Sequence, residues 1–249
     1  MDESLEYGQQ NFNLPHDVIK LPSKGIFYKP KKETLKVGYL TANDENVLMS
    51  QNNKDGIVKT LLRQKIYEPG FNVDQLLDCD VQAILIFLRN TAFGYDYNFL
   101  LTDPKTGSDF EATVLLDEIN YIDPKNLPDD NGYFSYTLPK TGKNVLVKLL
   151  SIGEQQILDK IANSYPAGMV APVVTKKLES HIVEMDGVTD KGQISQFINQ
   201  MPIADSKSLR NFIAECEPKL NLERKVMAPS GEMVTVNVAF GVEFFRPFF

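Results

Sequence analysis

The sequence predicts an α+β fold of helices and short antiparallel β-hairpins, two of them shaped like zinc ribbons that lack metal ligands. Three stretches carry this expectation. "LLTDPKTGSDFEATVLL", residues 100–116, begins and ends with apolar residues, turns through Asp103, Pro104, Lys105, Thr106 and Gly107, then alternates as a strand does. "KVMAPSGEMVTVNVAF" repeats that design around Ala228, Pro229, Ser230 and Gly231. Leu77, Val81, Ile84, Leu85 and Leu88 recur at helical spacing, with Leu76, Ala83 and Phe87 broadening the stripe. That pattern marks a central buried helix, and Gly94 supplies its stop.

In chain order, residues 1–20 are polar with scattered apolar positions, which predicts a flexible N-terminal arm. "LPSKGIFY" then combines Pro22 and Gly25 in a turn, and "TLKVGYL" alternates as a strand. "TAND" at Thr41 is a capping pattern for a short helix, and a second helix starts near Lys54 with Ile57, Leu61 and Leu62 on one face. Pro69-Gly70 closes that region.

Beyond the central helix and first hairpin, residues 133–152 offer two strands around a second Pro-Lys-Thr-Gly turn. Ser151 to Glu154 is another capping box, followed by a stripe of Ile157, Leu158, Ile161 and Ala162. "TKKLESHIVEMDG" fits helix and strand periodicities alike; the Asp-Gly pair favours a strand. Two short helices follow, one with Ile194, Phe197, Ile198 and Met201, the other from near Asp205 with Leu209, Phe212 and Ile213. The expected organisation is an arm over 1–20, an α+β region with the first ribbon-like hairpin over 21–152, and a helical region with the second hairpin and an aromatic end over 153–249.

Composition narrows function. The 26 basic and 33 acidic residues give a formal charge of −7, which disfavours a surface for phosphate backbones, so no nucleic-acid partner is expected. The run Lys29-Pro30-Lys31-Lys32 reads as a solvated turn. No stretch reaches the roughly twenty apolar residues that span a bilayer, and the acidic start lacks secretory character, so no membrane partner and a cytosolic location are expected. Cys79 and Cys216 read as reduced packing residues.

Chemistry is missing where it would be sought. Tetrahedral zinc needs about four thiolate or imidazole ligands, and neither ribbon-like turn has a Cys or His. His16 and His181 sit in no nucleophile or metal motif, and the acid pairs Asp117-Glu118 and Asp129-Asp130 fall in polar turns. The expectation is therefore no enzyme, no catalytic residue, no metal and no cofactor. What remains is "GVEFFRPFF", whose Phe244, Phe245, Arg246, Phe248 and Phe249 are candidate partner-binding residues. Folding of these aromatics back onto the core is the competing reading. Deleting Phe244 to Phe249 is expected to leave the fold intact and weaken partner binding.

Taken in order, "LPSKGIFY", "LKVGYLTANDENVL", "AILIFLRNTAFGYDYNF", the two hairpins, "SLRNFIAECEP" and "FGVEFFRP" resemble the baseplate hub and tail-assembly proteins of T-even-type contractile-tailed phages. In many members of that family the hairpin turns read Cys-Pro-x-Cys-Gly, which matches Asp103 to Gly107 here and, one residue short, Ala228 to Gly231. The resemblance implies a non-enzymatic role in building the baseplate central hub, with other hub proteins and the tape-measure protein as partners. It implies work in the host cytoplasm during assembly, as a hub subunit kept in the virion tail or as an assembly chaperone that leaves. It also implies ribbons that dispensed with zinc. A nucleic-acid-binding ribbon protein is the alternative from another class.

Overall fold

A computed structural model of the chain describes residues 15–49, 54–166 and 169–245. Strands β1 (His16–Lys20) and β2 (Thr34–Gly38) pair antiparallel, with His16 opposite Gly38 and Lys20 opposite Thr34. The expected arm is thus a strand from His16 onward, because the alternating β2 supplies a ladder for it; residues 1–14 lie outside the described residues. Helices α1 (Ala42–Met49) and α2 (Lys54–Lys65) follow, then a 3₁₀ turn over Val73–Gln75 and helix α3 (Asp78–Phe93). The first hairpin is β3 (Asp96–Thr102) with β4 (Asp109–Leu115), and the two-residue β5 (Tyr121–Ile122) comes next.

Strands β6 (Phe134–Thr137) and β7 (Asn144–Val147) form the second Pro-Lys-Thr-Gly hairpin. Helices α4 (Ile152–Asn163) and α5 (Val173–His181) lead into β8 (Ile182–Met185), which pairs with β7 to complete a three-stranded sheet. The segment expected as a strand is therefore a helix up to His181 and a strand only from Ile182. Leu178 and His181 bury the helical face, and Asp186-Gly187, both at positive φ, turn the chain after the strand. Helices α6 (Lys191–Gln200) and α7 (Ile203–Cys216), the short β9 (Lys219–Leu220) against β5, and the hairpin β10 (Glu223–Met227) with β11 (Met233–Asn237) complete the order, before a 3₁₀ turn over Val242–Phe245. The fold is α+β with small antiparallel hairpins.

Two hydrophobic clusters hold these elements. The first gathers Leu35, Val37, Leu61, Leu62, Ile84, Leu85 and Leu88 with Val238, Phe244 and Phe245. The second gathers Phe134, Leu138, Val145, Val147, Leu178, Ile194, Leu209 and Ile213. Residues from both expected regions enter each cluster. The start of α3 joins them, since Leu76 packs in the first core while Leu77 and Cys79 pack in the second. Of the stripe predicted for α3, Leu76, Leu77, Val81, Ile84, Leu85 and Leu88 are buried, and the flanking Ala83 and Phe87 are partly so.

The stripe predicted for α4 is not buried. Its capping box forms, with the Glu154 amide donating to Ser151 Oγ at 3.3 Å and the Ser151 amide to Glu154 Oε2 at 3.1 Å. Yet none of its residues is buried, and Ile157 is 59% exposed. Helical period fixes which residues share a face; it does not guarantee that another element covers that face.

His181 is buried, with Nδ1 2.8 Å from the Lys148 carbonyl, an arrangement that makes Nδ1 the protonated nitrogen of a neutral ring. Burial, then the nearby Lys177 and Lys148 charges, hold its pKa below the usual imidazole value against the opposing pull of that hydrogen bond and of Glu154. A depressed histidine contributes stability above its unfolded pKa, about 6.5, and loses it as pH falls through the folded value. We predict that the thermal midpoint falls as pH drops from 7 toward 5, and that His181→Gln flattens this slope. Equal slopes for both proteins would contradict the assignment.

Candidate functional site

The hairpin turns meet tip to tip through one carboxylate. Asp103 heads the β3–β4 turn and is 1% exposed. Its Oδ1 accepts the amides of Lys105 at 2.9 Å and Thr106 at 3.3 Å within its own turn, and the Ser230 hydroxyl at 2.8 Å from the β10–β11 turn. Its Oδ2 accepts the Ser230 amide at 3.0 Å. Burial pushes this carboxyl upward, but the hydrogen bonds outweigh it and leave the pKa below the ordinary aspartate value.

The same device recurs at the other turns. In the β6–β7 hairpin, Leu138 stands where Asp103 does, and the backbone pattern is identical. Asp103 N bonds Ser108 O and Gly107 N bonds Asp103 O; Leu138 N bonds Lys143 O and Gly142 N bonds Leu138 O. With an apolar residue at the head, the carboxylate comes from elsewhere. Asp205 of α7 accepts the Lys140 amide at 2.7 Å, the Thr141 amide at 3.0 Å and the Thr141 hydroxyl at 2.8 Å.

At Leu21-Pro22-Ser23-Lys24-Gly25 the acceptor is Asp80 of α3, which takes the Ser23 amide at 2.9 Å, the Ser23 hydroxyl at 2.6 Å and the Tyr28 hydroxyl. Asp80 is fully buried, and desolvation raises its pKa despite these donors. The glycines closing the four turns, Gly25, Gly107, Gly142 and Gly231, all have positive φ. At Gly25 a Cβ would also lie 2.1 Å from the Lys32 backbone, so only glycine fits.

The aromatic end divides at Phe245. Phe244 and Phe245 are 1% and 3% exposed, inside the first core. Phe244 packs against Tyr97, Phe240 and Phe245 with ring centroids 4.9 to 5.3 Å apart. Arg89 fixes this segment: its guanidinium donates to the carbonyls of Phe244 at 3.2 Å, Gly94 at 2.7 Å and Asp96 at 2.8 Å, and lies 5.0 Å from the centre of the Tyr97 ring. The two phenylalanines expected to face a partner are thus part of the protein's own core. A truncation from Phe244 would remove core side chains, so we predict that it lowers stability, against the expectation of an intact fold. Arg246, Phe248 and Phe249 lie outside the described residues.

Exposed apolar side chains occur on the hairpins as well as on helices and loops. Met227 and Met233 are directly opposite one another at the turn end of β10–β11, 69% and 54% exposed, and Leu100 on β3 is 61% exposed. Strand alternation in the sequence already set these residues on the outer face, but without a partner element to show which face was inner the signal went unused. The acid pairs serve local structure: Asp129 accepts the amides of Asn131 and Tyr133 in a turn, and Leu116–Glu118 is a 3₁₀ turn. Among the described residues no group of three or more His, Cys, Asp or Glu side chains has metal-binding geometry, and no helix is long and apolar enough to cross a membrane.

Hairpin turns linked by buried carboxylates, with Met227, Met233 and Leu100 exposed on their strands, are the features that distinguish this region. The chain matches the family model of the T4 bacteriophage base plate protein over residues 16–246, and it belongs to that family. No curated protein and no solved structure matches it.

The link between the turns is testable. Asp103→Ala should lower the thermal midpoint by removing the acceptor of two turns at once, and Ser230→Ala should lower it less. Because the two side chains share one interaction, the double variant should lose less than the sum of the single losses. Strict additivity in thermal or urea unfolding would mean that the turns do not depend on each other.

Proposed function

We propose that the protein acts in assembly of the baseplate central hub, with other hub proteins and the tape-measure protein as its partners, in the host cytoplasm while tails are built. The observation that supports this most is family membership across nearly the whole chain, joined to hairpins whose rigid, paired turns carry exposed Met227, Met233 and Leu100. Methionine pairs on an outer strand face supply adaptable contact area for a partner surface. Arg246, Phe248 and Phe249 extend that role at the chain end, beyond the buried Phe244 and Phe245.

The hairpins fit descent from zinc ribbons. Asp103 and Thr106 stand at the two ligand positions of the Cys-Pro-x-Cys-Gly pattern, and Asp103 bonds across to the turn that would supply the other half of the site. A carboxylate acceptor of several N–H and O–H groups has taken over the joining role of the metal.

Two forms of the proposal differ in fate: a hub subunit that stays, or an assembly chaperone that departs. Mass spectrometry of purified virions beside an infected-cell lysate separates them. A few copies per virion identifies a subunit, and presence in lysate with hub proteins but not in virions identifies a chaperone. A chain found with neither hub proteins nor virions contradicts both.

A further inference from the structure

Beside the second hydrophobic core lies a cavity of about 650 Å³, inside the range of roughly 300–1,000 Å³ typical of binding pockets. Its apolar lining includes Phe27, Leu77 and Leu149, and four lysines, Lys29, Lys59, Lys148 and Lys160, line it as well. Two carboxylates, Asp74 and Glu154, are present, and both are already engaged. Asp74 pairs with Lys59 at 2.5 Å, while Glu154 pairs with Lys148 and accepts the Ser151 amide.

That leaves Lys29 and Lys160 as surplus positive charge in a chain of net −7. Lys29 is held at the rim, its ammonium 6.0 Å over the Tyr133 ring. Lys160 projects from α4, the helix with no buried residue, one turn beyond the exposed Ile157 on the same face.

We propose that this cavity receives an acidic segment of a partner protein, with an apolar side chain seated on Phe27, Leu77 and Leu149 and carboxylates paired with Lys29 and Lys160. The two surplus ammonium groups favour incoming carboxylates, so charge selects the ligand. A surplus of two positive charges over an apolar floor is too small for a phosphate backbone and suits a peptide. The partially covered α4, with Ile157 at the mouth, extends the contact. The inference rests on the reading of the chain as a binding protein, and it names the chemistry of one contact.

The test uses the full chain and a fluorescein-labelled peptide with two leucines flanked by glutamates, compared with the same peptide carrying lysines and with inorganic phosphate as competitor. Anisotropy should show the glutamate peptide binding, the lysine peptide not binding, and phosphate failing to displace it. The double variant Lys29→Glu with Lys160→Glu, checked for native circular dichroism, should bind about tenfold more weakly or worse. Equal binding of both peptides, no binding, displacement by phosphate, or an unaffected double variant would overturn the proposal. Hub association of the double variant at wild-type level would reject the cavity as the partner contact while leaving the hub reading intact. Failure of the wild-type chain to associate with hub proteins would reject that reading whatever the peptides do.

Discussion

Tight turns that begin with proline and close with glycine leave backbone amides pointing inward, and once buried those amides require an acceptor. The rest of this structure depends on how that requirement is met. Asp80, Asp103 and Asp205, each at most 1% exposed, take the inward amides of four turns. Asp103 does so for its own turn and for the facing one, and Asp80 and Asp205 do so from helices. A carboxylate bonded by several donors satisfies its own desolvation and fixes the position of whatever carries it. Asp80 therefore sets the N-terminal turn on α3, Asp205 sets the second hairpin on α7, and Asp103 sets the first and last hairpins on one another.

This pattern gives the molecule its connectivity. A two-stranded hairpin alone is marginal in water, and the paired tips of β3–β4 and β10–β11 support each other across more than a hundred residues of sequence. Arg89 does comparable work at the other end of the first hairpin, tying the end of α3, the start of β3 and Phe244 together through three carbonyls. Phe244 is thereby held in the core that it shares with Leu35, Leu61, Leu85 and Leu88.

The sequence made the turns, strands and most helices legible because their signals are local. The stripe of α3, the Pro-Lys-Thr-Gly turns and the capping box at Ser151 all formed as their residues predict. It was silent on what depends on distant residues. Nothing near Asp80 or Asp205 marks them as acceptors for turns 57 and 65 residues away. The same limit explains the aromatic end, where only the position of Arg89 and Tyr97 shows that Phe244 is a core residue. It explains α5 as well, whose helix runs into β8 without a break and so carried two periodicities at once. The lysine-lined cavity was the least legible of all, since its lining comes from Phe27 to Lys160 and its one local clue, the basic run at Lys29, reads as an ordinary turn.

The Asp103 carboxylate joins the two ribbon-like hairpin turns, and we propose that no metal shares that role. Elemental analysis of the protein purified without chelators tests it most directly. We predict zinc far below one equivalent per chain and a thermal midpoint that EDTA does not change. Stoichiometric zinc whose removal loosens the hairpins would contradict it.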